Sequence, residues 1–454
     1  MIGDMNRILA TSANNKIGEK IKLEGWVERV RSHGKIAFFD LRDRTSSIQV
    51  AAFGDLAAQV AGLHVQDVVE IEGLVKERSE KYINSEIETG KIEIELENLS
   101  IISKAHEMPF DMGGKELDLE LPTLLDFRTL TLRHGAVRPI FKVQEKVMEG
   151  FRKAAQELFC TEIFTPTISY SSTEGGAEVF SVDYYGHKTF LIQSPQLYKQ
   201  MMVPVFERVF VVSHAYRAEP SVTTRHLSES IQMDCELGFV TFEELLDSLE
   251  FVAAKTLSYV NQEVGDVFKL FGVEAPKVEG KVPRLTMREA QEIIFKRTGR
   301  DNRSEPDLMP DDEKELSKWA LEEHSSDLLT ITHFPTSKRA FYSQPDPKDP
   351  EYSLSYDLLF RGIEILSGSK RIDDYETLKT VISKRGMNPA DFKLYLQAFE
   401  YGMPEHGGFS FGLERITMKL LDLSNIRQAS LFPRDMERVD ERFSKVEEKN
   451  PKKS

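Results

Sequence analysis

Between residues 20 and 103 the chain repeats one pattern five times: a short run of alternating apolar and polar side chains, closed by glycine or polar residues. The runs read IKLEGWVERVR, KIAFFDLRD, SIQVAAF, DVVEIEGLVKE and KIEIELENLSII. A period of two places every second side chain on one face of a strand, so each run buries one face and wets the other. A lone sheet of short strands leaves two open edges, and closing it on itself removes both. A small closed β-barrel is the fold this segment predicts.

The strand count suits an oligonucleotide-binding barrel and an SH3-like barrel equally. Residues 105–135 then lose all period, and Met108-Pro109, Gly113-Gly114 and Leu121-Pro122 punctuate them as a hinge. Beyond them long amphipathic runs (IFKVQEKVMEGFRKAAQELF, FEELLDSLEFVAAKTLSYVNQEV, TMREAQEIIFKRT) mix with strand-like ones (RVFVVSHAYR, QMDCELGFV, SLSYDLLFRGIEIL). Alternating strands joined by short turns predict an antiparallel sheet flanked by helices, in an α+β chain and not a doubly wound one. The expected organisation is 1–104, a hinge over 105–135, and 136–454, in a chain long enough for two or three cores.

No apolar run approaches the roughly 20 residues that span a bilayer. The opening MIGDMNRILATSANN has no apolar signal core, so a cytoplasmic protein without membrane contact is expected. Cys160 and Cys235 are the only cysteines and form no CxxC spacing, which speaks against structural zinc and against a disulfide framework. A net charge of −15 argues against nucleic-acid binding by the chain as a whole. Its distribution softens that objection: residues 16–44 carry eight Lys/Arg against five Asp/Glu, enough for a local face that holds phosphates.

Four segments concentrate groups with chemistry. Residues 406–415, HGGFSFGLER, place glycines where a backbone can approach a ligand, and set Arg415 at the start of an apolar helical run, with a guanidinium suited to polyphosphate. YRAE closes a strand and TTRH follows, so Arg217, Glu219, Arg225 and His226 meet at one mouth; a solvated hairpin with surface ion pairs reads the same way. In DLLFRGIEILSGSKR, taken as one strand, Asp357 and Glu364 face opposite sides unless Gly362 makes a bulge. Glu364 in an apolar run needs a partner, either a divalent cation of the magnesium kind or a structural arginine. SSTEGGAEVF and FLIQSPQLYKQ add Glu174 on a glycine-rich loop, and Gln196 with Lys199 on one helical face; alone, Lys199 reads as a solvated lysine.

In this order YRAE–TTRH, GIEILSGSKR and GGFSFGLER resemble motifs 2 and 3 of the class II aminoacyl-tRNA synthetases. STEGGAE and QSPQLYK resemble the aspartyl-tRNA synthetases of compact archaeal type. Pro166 in EIFTPTIS matches the motif 1 proline, and GWVERVRSHGKIAFFDLRDRTSSIQV resembles the family's anticodon-binding barrel. The likeness runs from about residue 15 to 435. It implies an anticodon-binding OB-fold over 1–104, a class II catalytic domain over 136–454 and a homodimer built through motif 1. The implied activity joins aspartate to tRNA(Asp) with ATP and Mg2+, and leaves tRNA(Asn) open as a second substrate.

The resemblance also implies roles. Arg217 bridges the α-phosphate and the substrate carboxylate, Glu219 holds the adenine side, and Arg225 and His226 meet the outer phosphates. Arg415 clamps ATP from the far side, with Leu227, Gly412, Leu413 and Glu414 also at the nucleotide; Arg217, Glu219 and Arg415 form the catalytic set. Magnesium falls to Glu364, Ser367 and Asp357. Glu174 and Gln196 take the α-ammonium group and Arg371 and Lys199 the side-chain carboxylate, with Arg217 and Ser367 beside the aspartate. On the barrel Arg31, Phe38 and Gln49 meet the anticodon, although alternation alone does not choose between Phe38 and Phe39 as the outward ring.

Two places depart from the family pattern. Ser410 replaces the middle glycine of motif 3, and the motif 2 loop reads PSVTTRH. The alternatives are an asparaginyl enzyme and a synthetase-like RNA-binding paralogue; the intact set Arg217, Glu364, Arg371 and Arg415 speaks against the paralogue.

Overall fold

The five alternating runs become β1 (Lys20–His33), β2 (Ile36–Arg42), β3 (Ser47–Phe53), β4 (Val68–Glu77) and β5 (Ile92–Ser103) in the computed structural model, which describes residues 7–170, 178–220 and 223–443. They close in the order β1-β2-β3-β5-β4. β3 pairs parallel with β5, whereas the remaining pairs are antiparallel. A parallel pair needs a crossover, supplied here by the helix Asp55–Ala61 and by β4. That order decides for the oligonucleotide-binding barrel over the SH3-like one. Leu23, Val27, Phe39, Ile48, Val50, Ile71 and Ile94 fill the interior, and Ala57 and Val60 of the helix join them. Phe39 is fully buried and Phe38 only half-buried, which settles the outward ring as Phe38.

The chain divides into two compact units, residues up to 119 with 134–136, and 120–133 with those from 137 onward. The stretch 105–135 is therefore shared between them. It is also not aperiodic throughout: Leu121–Asp126 and Arg128–Thr131 are helical. Pro122 sits in the first helical turn, where its fixed φ and missing N–H cost nothing.

The second unit contains β6 (Thr161–Glu162), β7 (Ile168–Ser169), β8 (Ser181–Tyr184), β9 (His187–Leu191), β10 (Arg208–Tyr216), β11 (Glu229–Gly238), β12 (Arg284–Thr286), β13 (Leu328–Thr332), β14 (Ser355–Phe360), β15 (Ile363–Lys370) and β16 (His406–Gly412). Eight of these form one sheet, β12-β13-β14-β15-β16-β11-β10-β6, and β7, β9 and β8 form a small second one. The six central strands are antiparallel, as expected, but β12 runs parallel to β13 and β6 to β10. The sheet is mixed because long helical connections return the chain in the same direction; Met287–Thr298 and Pro310–His324 do so between β12 and β13.

SYDLLFRGIEILSGSK is not one strand. Arg361 and Gly362 both take positive φ, 47° and 83°, and fold it into the β14–β15 hairpin. A two-residue turn of this kind matches the twist of its strands. Asp357 thereby faces Ser367 in register, and Leu359 faces Glu364.

Arg138–Glu157 packs along Phe242–Leu270. Gly150 permits the close approach, since a Cβ there would stand 3.1 Å from the Thr256 carbonyl. Phe151 reaches the sheet, edge-on to Phe210 of β10 and Phe411 of β16 at 5.9 and 6.0 Å. Cys160 and Cys235 are free and buried. Among the described residues no helix is long and apolar enough to cross a membrane.

Candidate active site

β15, β16, β11 and β10 are neighbours, so segments scattered over some 200 residues of sequence meet on one surface. The register lays out two same-face rows. Asp234, Ser410, Ser367 and Asp357 form one, across β11, β16, β15 and β14. Two residues along, Glu236, Gly408 and Ser369 form the other.

Over the first row opens a cleft of about 150 Å³. Arg217, Arg225, His226 and Leu227 line it from the β10–β11 connection, Glu364 and Ser367 from β15, and Ser410, Gly412, Glu414 and Arg415 from the third side. Its charges are provisionally paired. Arg225 Nη1 donates to Glu313 Oε2 at 2.8 Å, and Arg415 Nη1 lies 3.5 Å from the Glu364 carboxylate. Burial pushes Glu313 up to about 7, with Glu364 adding to it against the pull of Arg225. Burial, then Arg415, Arg217 and Arg225, hold His226 below its ordinary value. Arg217 makes no ion pair among the described residues, and Glu219 stands half-buried close enough to pull His226 the other way.

The predicted residues of motif 3 differ in what surrounds them. Both oxygens of Glu414 accept the Ile231 N–H at 3.1 Å, and burial raises its carboxyl to about 7. Leu413 is buried in the interior. Of the three glycines, Gly412 lines the cleft. A Cβ at Gly408 would collide with the Glu236 carboxylate and one at Gly407 with Leu245, so these two serve packing within the protein rather than approach to a ligand. Glu174 lies outside the described residues.

Two of the three residues expected to carry a metal, Asp357 and Ser367, share a partner the sequence did not reveal. Arg339 donates from Nη2 to Asp357 Oδ2 at 2.7 Å and from Nη1 to Ser367 Oγ at 3.1 Å. Glu364 is pushed up by burial and by Asp357, and held back by Arg415, Arg339 and Arg217.

Around Asp234 and Glu236 lies a cluster of buried charge. Lys199 is 1 % exposed, not solvated, and its Nζ meets Asp234 at 2.9 Å and Glu236 at 3.3 Å. Arg371 donates from Nε to Glu236 at 2.9 Å, and further to Ser369, Gln196 and the Gly408 carbonyl. Burial favours a protonated Glu236, but Arg371 and Lys199 outweigh it and hold the carboxyl below its ordinary range. Gln196 is 5 % exposed and spans Arg371 and Gln200. Ser410 ties cluster to cleft, donating to Asp234 Oδ1 at 2.6 Å. Asp234 and Glu236 were missed; two carboxylates at strand spacing in the apolar run MDCELGF are the signal that marks them.

On the barrel, Arg31 and Phe38 are cross-strand neighbours. Gln49 Oε1 accepts from Arg31 at 3.3 Å and from Arg78, and its amide donates to Glu93 at 2.8 Å. The three predicted residues share the barrel's outer face.

One unit is an oligonucleotide-binding barrel, and the other is a largely antiparallel sheet with Arg217 and Arg225 after β10 and Arg415 in the first turn of the helix Leu413–Leu420. Residues 120–436 match the family "tRNA synthetases class II (D, K and N)", and residues 21–102 match "OB-fold nucleic acid binding domain". The chain belongs to the class II tRNA synthetases of that group. It is 38 % identical to the aspartate–tRNA(Asp/Asn) ligase of Thermus thermophilus, over 95 % of this chain and 99 % of that one. It is 37 % identical to the aspartate–tRNA(Asp) ligase of Pyrococcus abyssi, over 93 % and 96 %. The solved asparaginyl-tRNA synthetase of Pyrococcus horikoshii with asparaginyl-adenylate superposes with a TM-score of 0.88 at 28 % identity, covering 97 % of this chain and all of that one.

Proposed function

We propose that the protein activates L-aspartate with ATP to aspartyl-adenylate and pyrophosphate, then transfers the aspartyl group to the 3′ end of tRNA(Asp) in the cytoplasm. The observation that carries this reading is the buried pair of cations, Lys199 and Arg371, joined to a three-arginine cleft through the Ser410–Asp234 hydrogen bond. A carboxylate arriving at these cations makes charge-assisted bonds that an amide does not, and such a site discriminates without editing.

The α-carboxylate of the substrate is ionised at neutral pH, so it attacks the α-phosphorus without a general base. Positioning and charge neutralisation carry the step. Arg217 bridges the two reacting groups and Glu219 holds the adenine side. Arg225 and His226 take the outer phosphates, Gly412 at the end of β16 and Arg415 in the helix after it close on the nucleotide, and Gln196 with Glu174 receives the α-ammonium group. The acids fit magnesium: Asp357 Oδ1 is buried and accepts no hydrogen bond among the described residues, Asp357 faces Ser367 in register and lies near enough to Glu364 to raise its carboxyl, and all three offer hard oxygen ligands. Asp357, Glu364 and Ser367 would hold the ion, which when bound neutralises charge on the phosphates.

The barrel, up to residue 104, is the anticodon-binding domain, with Phe38 stacking a base and Arg31 and Gln49 beside it. The catalytic domain takes in residues 120–133 and those from 137 onward. A homodimer fits the surface around motif 1, where Phe159 and Phe164 are 86 % and 89 % exposed.

ATP–pyrophosphate exchange tests the reading against the asparaginyl alternative. Exchange with asparagine but not aspartate overturns it. Charging of purified tRNA(Asp) and tRNA(Asn) then measures the second substrate. Phe38→Ala should slow charging and leave exchange intact; equal loss in both contradicts the barrel's assignment.

A further inference from the structure

Arg339 lies between β13 and β14, just after a single turn of 3-10 helix (Thr336–Lys338). Its guanidinium carbon stands 3.9 Å from the ring centre of Phe334, a residue only 1 % exposed, which fixes the plane of the fork. From that plane one nitrogen binds Asp357 Oδ2 at 2.7 Å and another binds Ser367 Oγ at 3.1 Å. These two recipients are register partners on adjacent strands. The second carboxylate oxygen, Asp357 Oδ1, is buried and accepts no hydrogen bond among the described residues. Leaving a buried carboxylate oxygen unmet is costly, so this atom stands ready for a cation.

A lysine in this place would neutralise Asp357 but could not bind two groups in one plane. An arginine serving only as counter-charge would not need Ser367. The fork does both.

We infer that Arg339 is a positioning residue for the acidic side of the cleft: by holding Asp357 Oδ2 and Ser367 Oγ in one plane it presents Asp357 Oδ1 to the divalent cation that accompanies ATP. The inference rests on the adenylate-forming reading above. Partners of this kind, bound to a metal's ligands and not to the metal, are worth roughly 10–100-fold in metal affinity.

The test titrates Mn2+ into the full chain with a non-hydrolysable ATP analogue, reading free Mn2+ by electron paramagnetic resonance, for wild type, Arg339→Met and Arg339→Lys. Arg339→Met keeps the apolar stem on Phe334 and should bind Mn2+ at least about tenfold more weakly. Arg339→Lys should fall between it and wild type. If Arg339 is a mere counter-charge competing with the cation, Arg339→Met binds Mn2+ as tightly as wild type or more tightly, and the inference is overturned. Should Arg339→Met fail to fold by thermal melting, Arg339→Lys decides: weaker binding supports the inference and wild-type binding overturns it. A wild-type chain that binds no Mn2+ with the analogue removes the adenylate reading itself; a wild-type chain that does, beside an unchanged Arg339→Met, removes this inference alone.

Discussion

The buried charge cluster and the cleft share one sheet, with Asp234 in the row under the cleft and Glu236 in the next, yet they handle charge in opposite ways. Lys199, Asp234, Glu236 and Arg371 are each at most 3 % exposed, and two cations meet two acids. Desolvation there makes any unpaired charge expensive, so the cluster is locked and its geometry is set before a substrate arrives. In the cleft, the side chains of Arg225, Glu313, Arg415 and Glu364 keep between 14 % and 32 % exposure. Their pairs sit in a wetter medium, where an ion pair is worth little and is readily exchanged. The difference teaches which half selects and which half engages: the cluster is built to recognise a fixed shape, and the cleft can trade carboxylate partners for phosphate.

The sharpest way to break that comparison is Arg371→Ala. Glu236, 0 % exposed, would lose its two-pronged partner, a change that costs about 3–5 kcal/mol. Thermal midpoint and aspartate-dependent exchange should both fall steeply, while ATP binding by the folded fraction persists. A wild-type midpoint would show the cluster is not locked.

Next in size is a pH effect at Glu414, which is 5 % exposed. Its folded value of about 7 lies above the ordinary 4.5, so the folded chain keeps a proton that the unfolded chain releases. That contribution is complete below pH 4.5 and is lost as pH rises through about 7, by up to about 3 kcal/mol. Glu414→Gln carries no such term, so its stability relative to wild type should improve between pH 5 and pH 8 in urea unfolding. Parallel profiles would contradict the buried setting assigned to this acid.

In the cleft, Arg225→Ala should raise KM for ATP roughly tenfold, the worth of a charge-assisted contact. Glu313→Gln loosens the hold on Arg225 and should lower KM for ATP a few-fold. A rise instead would mean that Glu313 aims Arg225 and does not merely park it. The smallest effect falls on the bond between the two regions. Ser410→Ala removes one donor from Asp234, which keeps Lys199, so KM for aspartate should rise severalfold, about 1 kcal/mol, with KM for ATP unmoved.

Much of the fold was legible because periodicity is local. The five barrel runs, the long helices and the two strands around the YRAE loop stand close to where alternation put them. The β14–β15 hairpin was not legible, because nothing in the letters RG told a two-residue turn from a bulge. Lys199 read as a solvated lysine since its partners, Asp234 and Glu236, lie some 35 residues away. Arg339 carried no signal at all: it is one arginine in TSKRA, and Phe334, Asp357 and Ser367 make it significant only after folding. The glycines of motif 3 were read as room for a ligand, but at 407 and 408 the space is taken by Leu245 and Glu236.

The sequence by itself determined the barrel segment, the helices behind the sheet, the family and which side chains carry charge near its motifs. Period, turn chemistry and motif order are properties of neighbouring residues. Tertiary structure alone decided the closing order of the barrel, the mixed edges of the large sheet and the rows that set Asp234, Ser410, Ser367 and Asp357 side by side. Register between strands distant in the chain is fixed by packing against the whole, and it is register that turns scattered charges into a locked cluster and an open cleft.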